Sequence, residues 1–478
     1  MMSLMEAALA TEGTLLHGDA RIEGVSTDSR SLASGELFVA LAGANFDGHD
    51  HVAAAAGRGA AAAMVSRAWA EGAGAAAGRG GALPLLAVAD TRRALGALGA
   101  WWRSRFAPAL VGVTGSNGKT TVKEMTAAIL RAQARRDGLD PALAVLATQG
   151  NLNNDIGLPQ MLLRLRASHR AAVIEMGMNH PGEIAYLTGL ARPTVALVNN
   201  AQRAHLAGLG GIAGVARAKG EIFEGLDEGG TAVINADDAF AGLWREMAAG
   251  RRILGFGLEQ PAEVRGRAEW QAFGSRLAIE APQGRLEVML AVPGRHNAMN
   301  ALAAAAAALA AGASLEAVSE GLAGFTGVAG RLQLRPAAGA LLIDDSYNAN
   351  PDSVRAAIDV LAATPGRKIL VLGDMGETGR EAAQFHDEIG GYAKSQGVDR
   401  LLALGELSAL AAHNFGEGGR HFAGVEALLA ELRPQLGEGT AVLVKGSRFM
   451  RMERVAEAIA DAGEANGGAA KRRARHAA

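Results

Sequence analysis

Short apolar runs recur along the chain, each stopped by glycine or a polar cluster and followed by a stretch with helical spacing. Residues 109–113, 171–175, 194–199 and 231–235 read as strands in its middle, and residues 340–344, 368–373, 401–405 and 441–445 repeat the rhythm towards the end. The runs are apolar at successive rather than alternate positions, the mark of strands covered on both faces, and helix-length segments separate them. Each group therefore predicts an α/β unit on a mostly parallel sheet with helices on both sides, the later one doubly wound. Three blocks result, residues 1–90, 91–327 and 328–478, in keeping with the size of the 478-residue chain. A glycine- and alanine-rich patch at 72–81 predicts a surface loop or insertion, and the end from 464 onwards reads as a disordered tail.

One interruption of the pattern carries chemistry. Between the strand 109–113 and the helical run 122–130 lies Thr114-Gly115-Ser116-Asn117-Gly118-Lys119-Thr120-Thr121. Glycines at such a junction let backbone N–H groups face an anion, the helix start adds its dipole, Lys119 reaches the outer phosphates of a nucleotide, and the Thr120 hydroxyl suits Mg²⁺. A strict G-x-x-x-x-G-K-[ST] loop needs glycine five positions before Gly118, where Val113 stands, so the ordinary nucleotide-hydrolase pattern is missed while its working end is kept. A glycine-rich turn with a solvated lysine is the plain alternative, and the strand and helix on either side argue against it.

Composition narrows the setting. A formal net charge of −2 with 20% charged residues gives no electrostatic footprint for nucleic acid. The basic run Lys471-Arg472-Arg473-Ala474-Arg475 is expected to be a solvated end. Cysteine is absent, the start lacks the basic and apolar regions of a signal peptide, and the apolar stretch 301–311 is far short of the roughly 20 residues of a membrane span. A cytoplasmic protein with no membrane span is expected, with a monomer as the default.

Polar residues cluster directly after the middle strands: Glu175, Asn199-Asn200, and Asn235-Ala236-Asp237-Asp238. In an open α/β sheet ligands bind at the carboxyl ends of strands, so these groups stand where chemistry is expected. Glu175 reads equally as a Mg²⁺ ligand or a helix cap. His205 and Lys219, on either side of a glycine-rich turn, read individually as a hydrogen-bonded structural histidine and a solvated helical lysine.

Together with the loop, however, these strings resemble the Mur ligase family across nearly the whole chain. The resemblance rests on residues 114–125, Gly150-Asn151-Leu152-Asn153-Asn154-Asp155-Ile156-Gly157-Leu158-Pro159, residues 175–184, Ala204-His205-Leu206 with Ala218-Lys219-Gly220-Glu221, and Pro293-Gly294-Arg295-His296-Asn297-Ala298-Met299-Asn300. Asp344-Asp345-Ser346-Tyr347-Asn348-Ala349-Asn350-Pro351, Leu372-Gly373-Asp374-Met375-Gly376-Glu377 and Val444-Lys445-Gly446-Ser447-Arg448 extend it into the last block. The shortened loop is a trait of that family. The strings 151–159 and 346–351 look like the branch that adds D-alanyl-D-alanine to UDP-N-acetylmuramoyl-tripeptide.

The resemblance implies a small N-terminal α/β domain for the UDP-sugar, a central parallel-sheet P-loop ATPase-like domain and a C-terminal Rossmann-like domain whose closure assembles the site. It implies ATP and two Mg²⁺ ions as cofactors. Gly115, Ser116, Asn117, Gly118, Lys119, Thr120 and Thr121 would hold the phosphates, Asn297 and Asn300 would face the adenine, Arg331 would meet a phosphate, and Asp345 would meet the ribose or orient a lysine. Thr120 and Glu175 would bind one Mg²⁺, and His205 with a carbamylated Lys219 the other. Lys119, Lys219, His205 and Glu175 are thus the expected catalytic set. For the substrates the resemblance implies Asp28, Ser29, Arg30, Asp47, Gly48 and His49 in the first block, with Asn154, Tyr347 and Asn348 further on. Read without it, Asp28-Ser29-Arg30 is as readily a turn start.

The activity implied is ATP-dependent amide formation through an acyl phosphate, with no side-chain nucleophile. A folylpolyglutamate synthetase would share the loop, histidine and lysine but would not need the first block. A nucleotide-gated binding protein is the non-enzymatic alternative, against which a full set of metal ligands argues. The third residue of the peptide, meso-diaminopimelate or L-lysine, stays open.

Overall fold

The computed structural model describes residues 1–72, 83–204, 206–271 and 273–460. His205, most of the 72–81 patch and the C-terminal tail lie outside the described residues.

Among the described residues the chain builds three main sheets. The first joins β1 (Thr14–Leu16), β2 (Gly24–Ser26), β3 (Glu36–Val39), β4 (Ala62–Ser66) and β5 (Leu85–Val88) in the order β1-β5-β4-β3-β2, with β1 antiparallel and the rest parallel. Helix α1 (Thr91–Arg103), capped by the Asp90 carboxylate, then carries the chain to the second sheet. Leu95 and Leu98 of α1 belong to one continuous core with Leu37 and Met64 on the first sheet and Leu110 and Ile174 on the second. The first two sheets therefore share apolar packing.

The central sheet contains β6 (Ala109–Thr114), then, after helix α2 (Lys119–Arg136), β7 (Val145–Ala147), β8 (Ala171–Glu175) and β9 (Val195–Val198). Helix α3 (Ile212–Gly220) leads to β10 (Thr231–Asn235) and β11 (Arg252–Gly257), and the strand order so far is β7-β8-β6-β9-β10-β11, all parallel. Successive residues feed opposite cores: Leu110, Ala172 and Ile174 pack on one face, Val111, Val113 and Val173 on the other. That double burial is why the strands read as unbroken apolar runs. Three further strands, β12 (Val264–Gln271), β13 (Gly274–Ala281) and β14 (Gly284–Leu290), continue the sheet as an antiparallel ribbon. Their alternating, half-exposed pattern lacks the unbroken apolar runs of the parallel strands, and this ribbon is the main departure from the reading of the sequence.

Helix α4 (Arg295–Ala310) covers the second face and is buried almost throughout, with Ala301 and Ala303 to Ala308 wholly inaccessible. The apolar stretch 301–311 is thus a core helix, and no helix among the described residues is long and apolar enough to cross a membrane. Helix α5 (Leu315–Ala323) packs on α2 where Gly321 meets the Ile129 backbone.

The third sheet comprises β15 (Gln333–Ala337), β16 (Ala340–Asp345), β17 (Arg367–Gly373), β18 (Arg400–Leu404), β19 (Gly419–Phe422) and β20 (Thr440–Lys445), in the order β15-β16-β20-β17-β18-β19. Helix α6 (Pro351–Ala362) connects β16 to β17. Only the edge strand β15 runs antiparallel, and separate apolar cores lie on the two faces, so this unit is doubly wound. The α/β class expected from the strand rhythm is the fold observed.

A Cβ at position 321 would lie 2.4 Å from Ile129 Cα, against backbone that cannot give way cheaply. Gly321→Ala is expected to destabilise the central unit by about 1–3 kcal/mol through overpacking, read as a lowered denaturation midpoint.

Candidate active site

The loop after β6 turns into α2 at Gly118, whose φ of +79° is open to glycine. A Cβ there would come within 2.4 Å of Asn300 Oδ1 and 2.7 Å of Asn199 Nδ2, so the loop lies directly on these two amides. Asn199, at the end of β9, donates to Asn117 O at 2.9 Å and to Asn300 Oδ1 at 3.0 Å, while Asn200 Oδ1 accepts from Asn117 N at 2.9 Å. Asn300 in turn donates to Asn297 Oδ1 at 3.2 Å, and Asn297 donates to Pro293 O at 2.8 Å. The two asparagines expected at the adenine are therefore buried members of the scaffold behind the loop, and both also line the cavity in front of it.

That cavity, of about 1360 Å³, opens between the carboxyl edge of the central sheet and the third sheet. It gathers Ser116, Asn117, Gly118, Lys119, Thr120, Thr121, Asn154, Glu175, Asn297, Asn300, Arg331, Asp345, Tyr347 and Asn348 into one space. Asn200, Asn235, Asp237 and Asp238 from the strand ends line it too.

At its centre the Thr120 hydroxyl donates to Glu175 Oε2 at 2.9 Å, while Asn153 Nδ2 donates to Glu175 Oε1 at 2.7 Å. Thr148 Oγ1 accepts from the Glu175 backbone N–H at 2.9 Å, so the buried carboxylate is held by two donors and its backbone by a third contact. Glu175 is thus a paired carboxylate beside the loop rather than a helix cap. Lys119 Nζ donates to Gly115 O at 2.8 Å and Ser116 O at 3.2 Å, which folds the ammonium over the loop. Burial pushes its pKa below the usual lysine value, and Glu175 partly restores it.

Lys219, near the end of α3, is 1% exposed, and among the described residues it makes no hydrogen bond or ion pair. Burial, helped by the nearby charge of Lys119, holds its pKa well below the ordinary lysine range. It is not the solvated helical lysine of the plain alternative. No group of three or more histidine, aspartate or glutamate side chains that could hold a metal is present among the described residues.

From the third sheet, Asp345 Oδ2 accepts a short hydrogen bond from Lys445 Nζ, and Asp345 Oδ1 accepts from Leu332 N at 3.1 Å. Burial raises the Asp345 pKa against the pull of Lys445 and Arg331. The Arg331 guanidinium lies 4.3 Å from the Tyr347 ring centroid, a cation–π stack at the cavity wall.

The first-block residues lie outside this cavity. Arg30 clasps Asp28 through two bonds of 2.9 and 2.8 Å on an exposed turn, drawing the Asp28 pKa down to about 2. Ser29 sits within the same turn. His49 is 6% exposed, is paired with Asp47, and accepts from Ser66 N at 2.9 Å; it ties its own short helix to β4. A Cβ at Gly48 would meet Leu41 O at 2.7 Å, so this glycine serves a close backbone approach.

Several contributors escaped the sequence reading. Asn153 orients Glu175, Gln202 accepts from Asn117 Nδ2 at 2.6 Å, and Lys445 holds Asp345. Asn153 and Lys445 lay inside strings singled out above, but an amide in a loop and a lysine at a strand end have no distinguishing pattern until the chain is folded.

Comparison with known proteins accounts for this arrangement. Residues 113–308 match the Mur ligase middle domain, residues 330–448 the Mur ligase glutamate ligase domain, and residues 21–101 the catalytic domain of the Mur ligase family. The chain belongs to the Mur ligase family. It is 44% identical over 456 residues, 94% of this chain and 96% of the relative, to the UDP-N-acetylmuramoyl-tripeptide–D-alanyl-D-alanine ligase of Escherichia coli. A crystal structure of MurF from Acinetobacter baumannii superposes with a TM-score of 0.85 at 36% identity, covering 96% of this chain and 98% of that one. MurF from Thermotoga maritima in complex with ADP gives 0.77 at 27% identity, covering 93% and 98%.

His296 lines the same cavity, and burial with the neighbouring Lys445 charge holds its pKa down to about 4 from the ordinary 6.5. The unfolded chain therefore binds this proton first as pH falls, so stability should drop between pH 6.5 and 4. His296→Gln is expected to remove about 1–2 kcal/mol of that drop, since solvent reaches part of the ring, as measured by denaturant unfolding across this range.

Proposed function

We propose that the chain is an ATP-dependent ligase that joins D-alanyl-D-alanine to the tripeptide of UDP-N-acetylmuramoyl-tripeptide, giving the pentapeptide precursor of peptidoglycan, ADP and phosphate. The observation that carries the chemistry is the hydrogen bond of 2.9 Å from Thr120 to the buried Glu175 carboxylate, beside a loop built to cradle phosphates. In this reading residues 1–90 bind the UDP-muramoyl-peptide, residues 91–327 bind ATP, and the remainder closes over both. The exposed Asp28-Ser29-Arg30 turn offers itself to the UDP portion, with Asp47, Gly48 and His49 as further contacts. Asn154, Tyr347 and Asn348 face the reacting groups, and Arg331 and Asp345 the nucleotide. One chain supplies both sheets around the cavity, which supports a monomer, and a reaction that consumes ATP belongs in the cytoplasm that supplies it.

The tripeptide carboxylate attacks the γ-phosphorus of ATP, ADP leaves, and an acyl phosphate remains. The amine of D-alanyl-D-alanine then adds to the acyl carbon, loses its proton, and expels phosphate to leave the amide. In this reading Lys119 follows the negative charge that migrates to the β–γ bridge. Water would destroy the acyl phosphate, so seating of the third sheet on the second protects it.

Mg²⁺ fits the donors present. A hydroxyl and a carboxylate within 3 Å of each other are hard oxygen ligands that suit this ion, with phosphate oxygens completing its shell. Thr120 and Glu175 would hold one ion and His205 with a carbamylated Lys219 a second; bound there, the ions neutralise phosphate charge. Lys219 is suited to the modification, since only a neutral amine has the lone pair that adds to CO₂, forming an N–C bond and releasing a proton. Its burial, with no counter-charge paired to it among the described residues, favours that neutral form.

Coupled ADP release with ATP, UDP-N-acetylmuramoyl-tripeptide and D-alanyl-D-alanine tests the reading, and turnover that does not depend on the dipeptide overturns it. Lys119→Ala should fold normally and lose turnover by roughly 10²-fold or more. Lys219→Ala should lose nearly all activity and regain part of it with acetate or formate, whose oxygen can take the place of the carbamate's. Recovery with small amines alone would remove the carbamate.

A further inference from the structure

The cavity has two walls that belong to different sheets, and two asparagines join them. Asn350 Nδ2 donates to Asn117 Oδ1 at 2.7 Å, and Asn117 Nδ2 donates back to Asn350 Oδ1 at 3.2 Å, a reciprocal amide pair between the phosphate loop and the start of α6. The orientation of Asn350 is fixed independently, because its Oδ1 also caps α6 by accepting from Ser353 N at 2.9 Å. Asn117 is fixed too: its N–H is held by Asn200, its carbonyl accepts from Asn199 and Asn200, and its amide donates to Gln202. Each partner therefore presents one face that only the correctly folded loop, or the correctly seated helix, can meet. Two residues on, Asp352 accepts from the backbone N–H of Arg203 at 2.7 Å and from its guanidinium at 3.0 and 2.6 Å, so the contact is not an isolated bond but one end of a two-point seam.

We infer that Asn350 is a positioning residue for ATP: through Asn117 it makes the phosphate loop's shape and the seating of the third sheet a single event. The inference rests on the ligase reading above. If the loop must be in shape to bind phosphates and the helix must meet that shape to close, nucleotide and closure favour one another. The price of losing the bond then falls on nucleotide affinity, as it does whenever the binding-competent state becomes less populated. Asparagine suits the task. A carboxylate here would repel phosphates, and a cation would compete with Lys119 for them.

Asn350→Asp separates this role from helix capping, because aspartate keeps the Oδ1 that caps α6 but places an acceptor against Asn117 Oδ1. In the full-length enzyme the variant should keep its melting temperature and its kcat at saturating ATP within about twofold, while KM for ATP and Kd for ADP rise roughly tenfold, the loss of about one hydrogen bond. Asn350→Ala should show the same rise in KM together with a lower melting temperature. A rise in Asn350→Asp that Asn350→Ala does not share would mark repulsion of the phosphates by the new carboxylate, and it, like an unchanged KM and Kd in Asn350→Asp or a fall in melting temperature with no change in either, overturns the inference. Hydrogen exchange on the unmodified protein gives a second reading that requires no variant. ADP should slow exchange in the first turn of α6 as well as in the loop, and protection confined to residues 115–121 would count against it. If the unmodified enzyme neither binds ADP nor turns over, the ligase reading itself has failed.

Discussion

A polyanion has to be held by a loop that carries few charges of its own, and the surroundings of the phosphate loop are arranged around that constraint. Support from carboxylates would repel the phosphates, and support from further lysines would compete with Lys119. The loop rests instead on carboxamides: Asn199, Asn200, Asn297 and Asn300 from the central unit and Asn350 from the third. Asn200, Asn297, Asn300 and Asn350 each donate and accept at once, and Asn199 donates twice, so rigidity comes without net charge. The carboxylate that hydrogen-bonds to Thr120, Glu175, is paired with that hydroxyl and an amide.

The sheets divide the remaining work according to what each can bury. The central strands are covered on both faces, which leaves their carboxyl ends as the place where polar side chains can collect. The first sheet reaches the same core through α1. The third has its own two cores and meets the loop through polar contacts, Asn117 with Asn350 and Arg203 with Asp352. Apolar packing fuses two units, and the third is joined mainly by exchangeable polar contacts with little apolar packing beyond Leu206, a difference that suits an element required to move.

Much of this was legible in the chain because the parallel strands are buried on both sides and announce themselves as unbroken apolar runs. The loop was legible because strand, glycines and helix occur in sequence. The ribbon β12–β14 was not, since half-exposed strands without apolar runs leave a weaker signal. The supporting amides were not either: Asn153 and Asn350 look like any turn asparagine until folding brings Glu175 and Asn117 within reach. Lys219 and His49 show the limit from opposite sides. One, taken by itself, reads as a solvated helical lysine yet is fully enclosed; the other, which only the resemblance singles out, proves to be buried and tied to Asp47 and Ser66.

Helix α4 begins beside the cavity with Asn297 and Asn300 and continues as a nearly pure alanine rod through the middle of the central unit. Alanine has no side-chain rotamers to freeze, so this rod is enclosed at minimal entropic cost and has no alternative packing to adopt. The asparagines at its head are consequently anchored to something that cannot rearrange. The same smoothness limits the sequences this segment can accept during divergence: from Ala303 to Ala308 the side chains are wholly enclosed, so larger residues are expected to be excluded while the outer ribbon drifts freely.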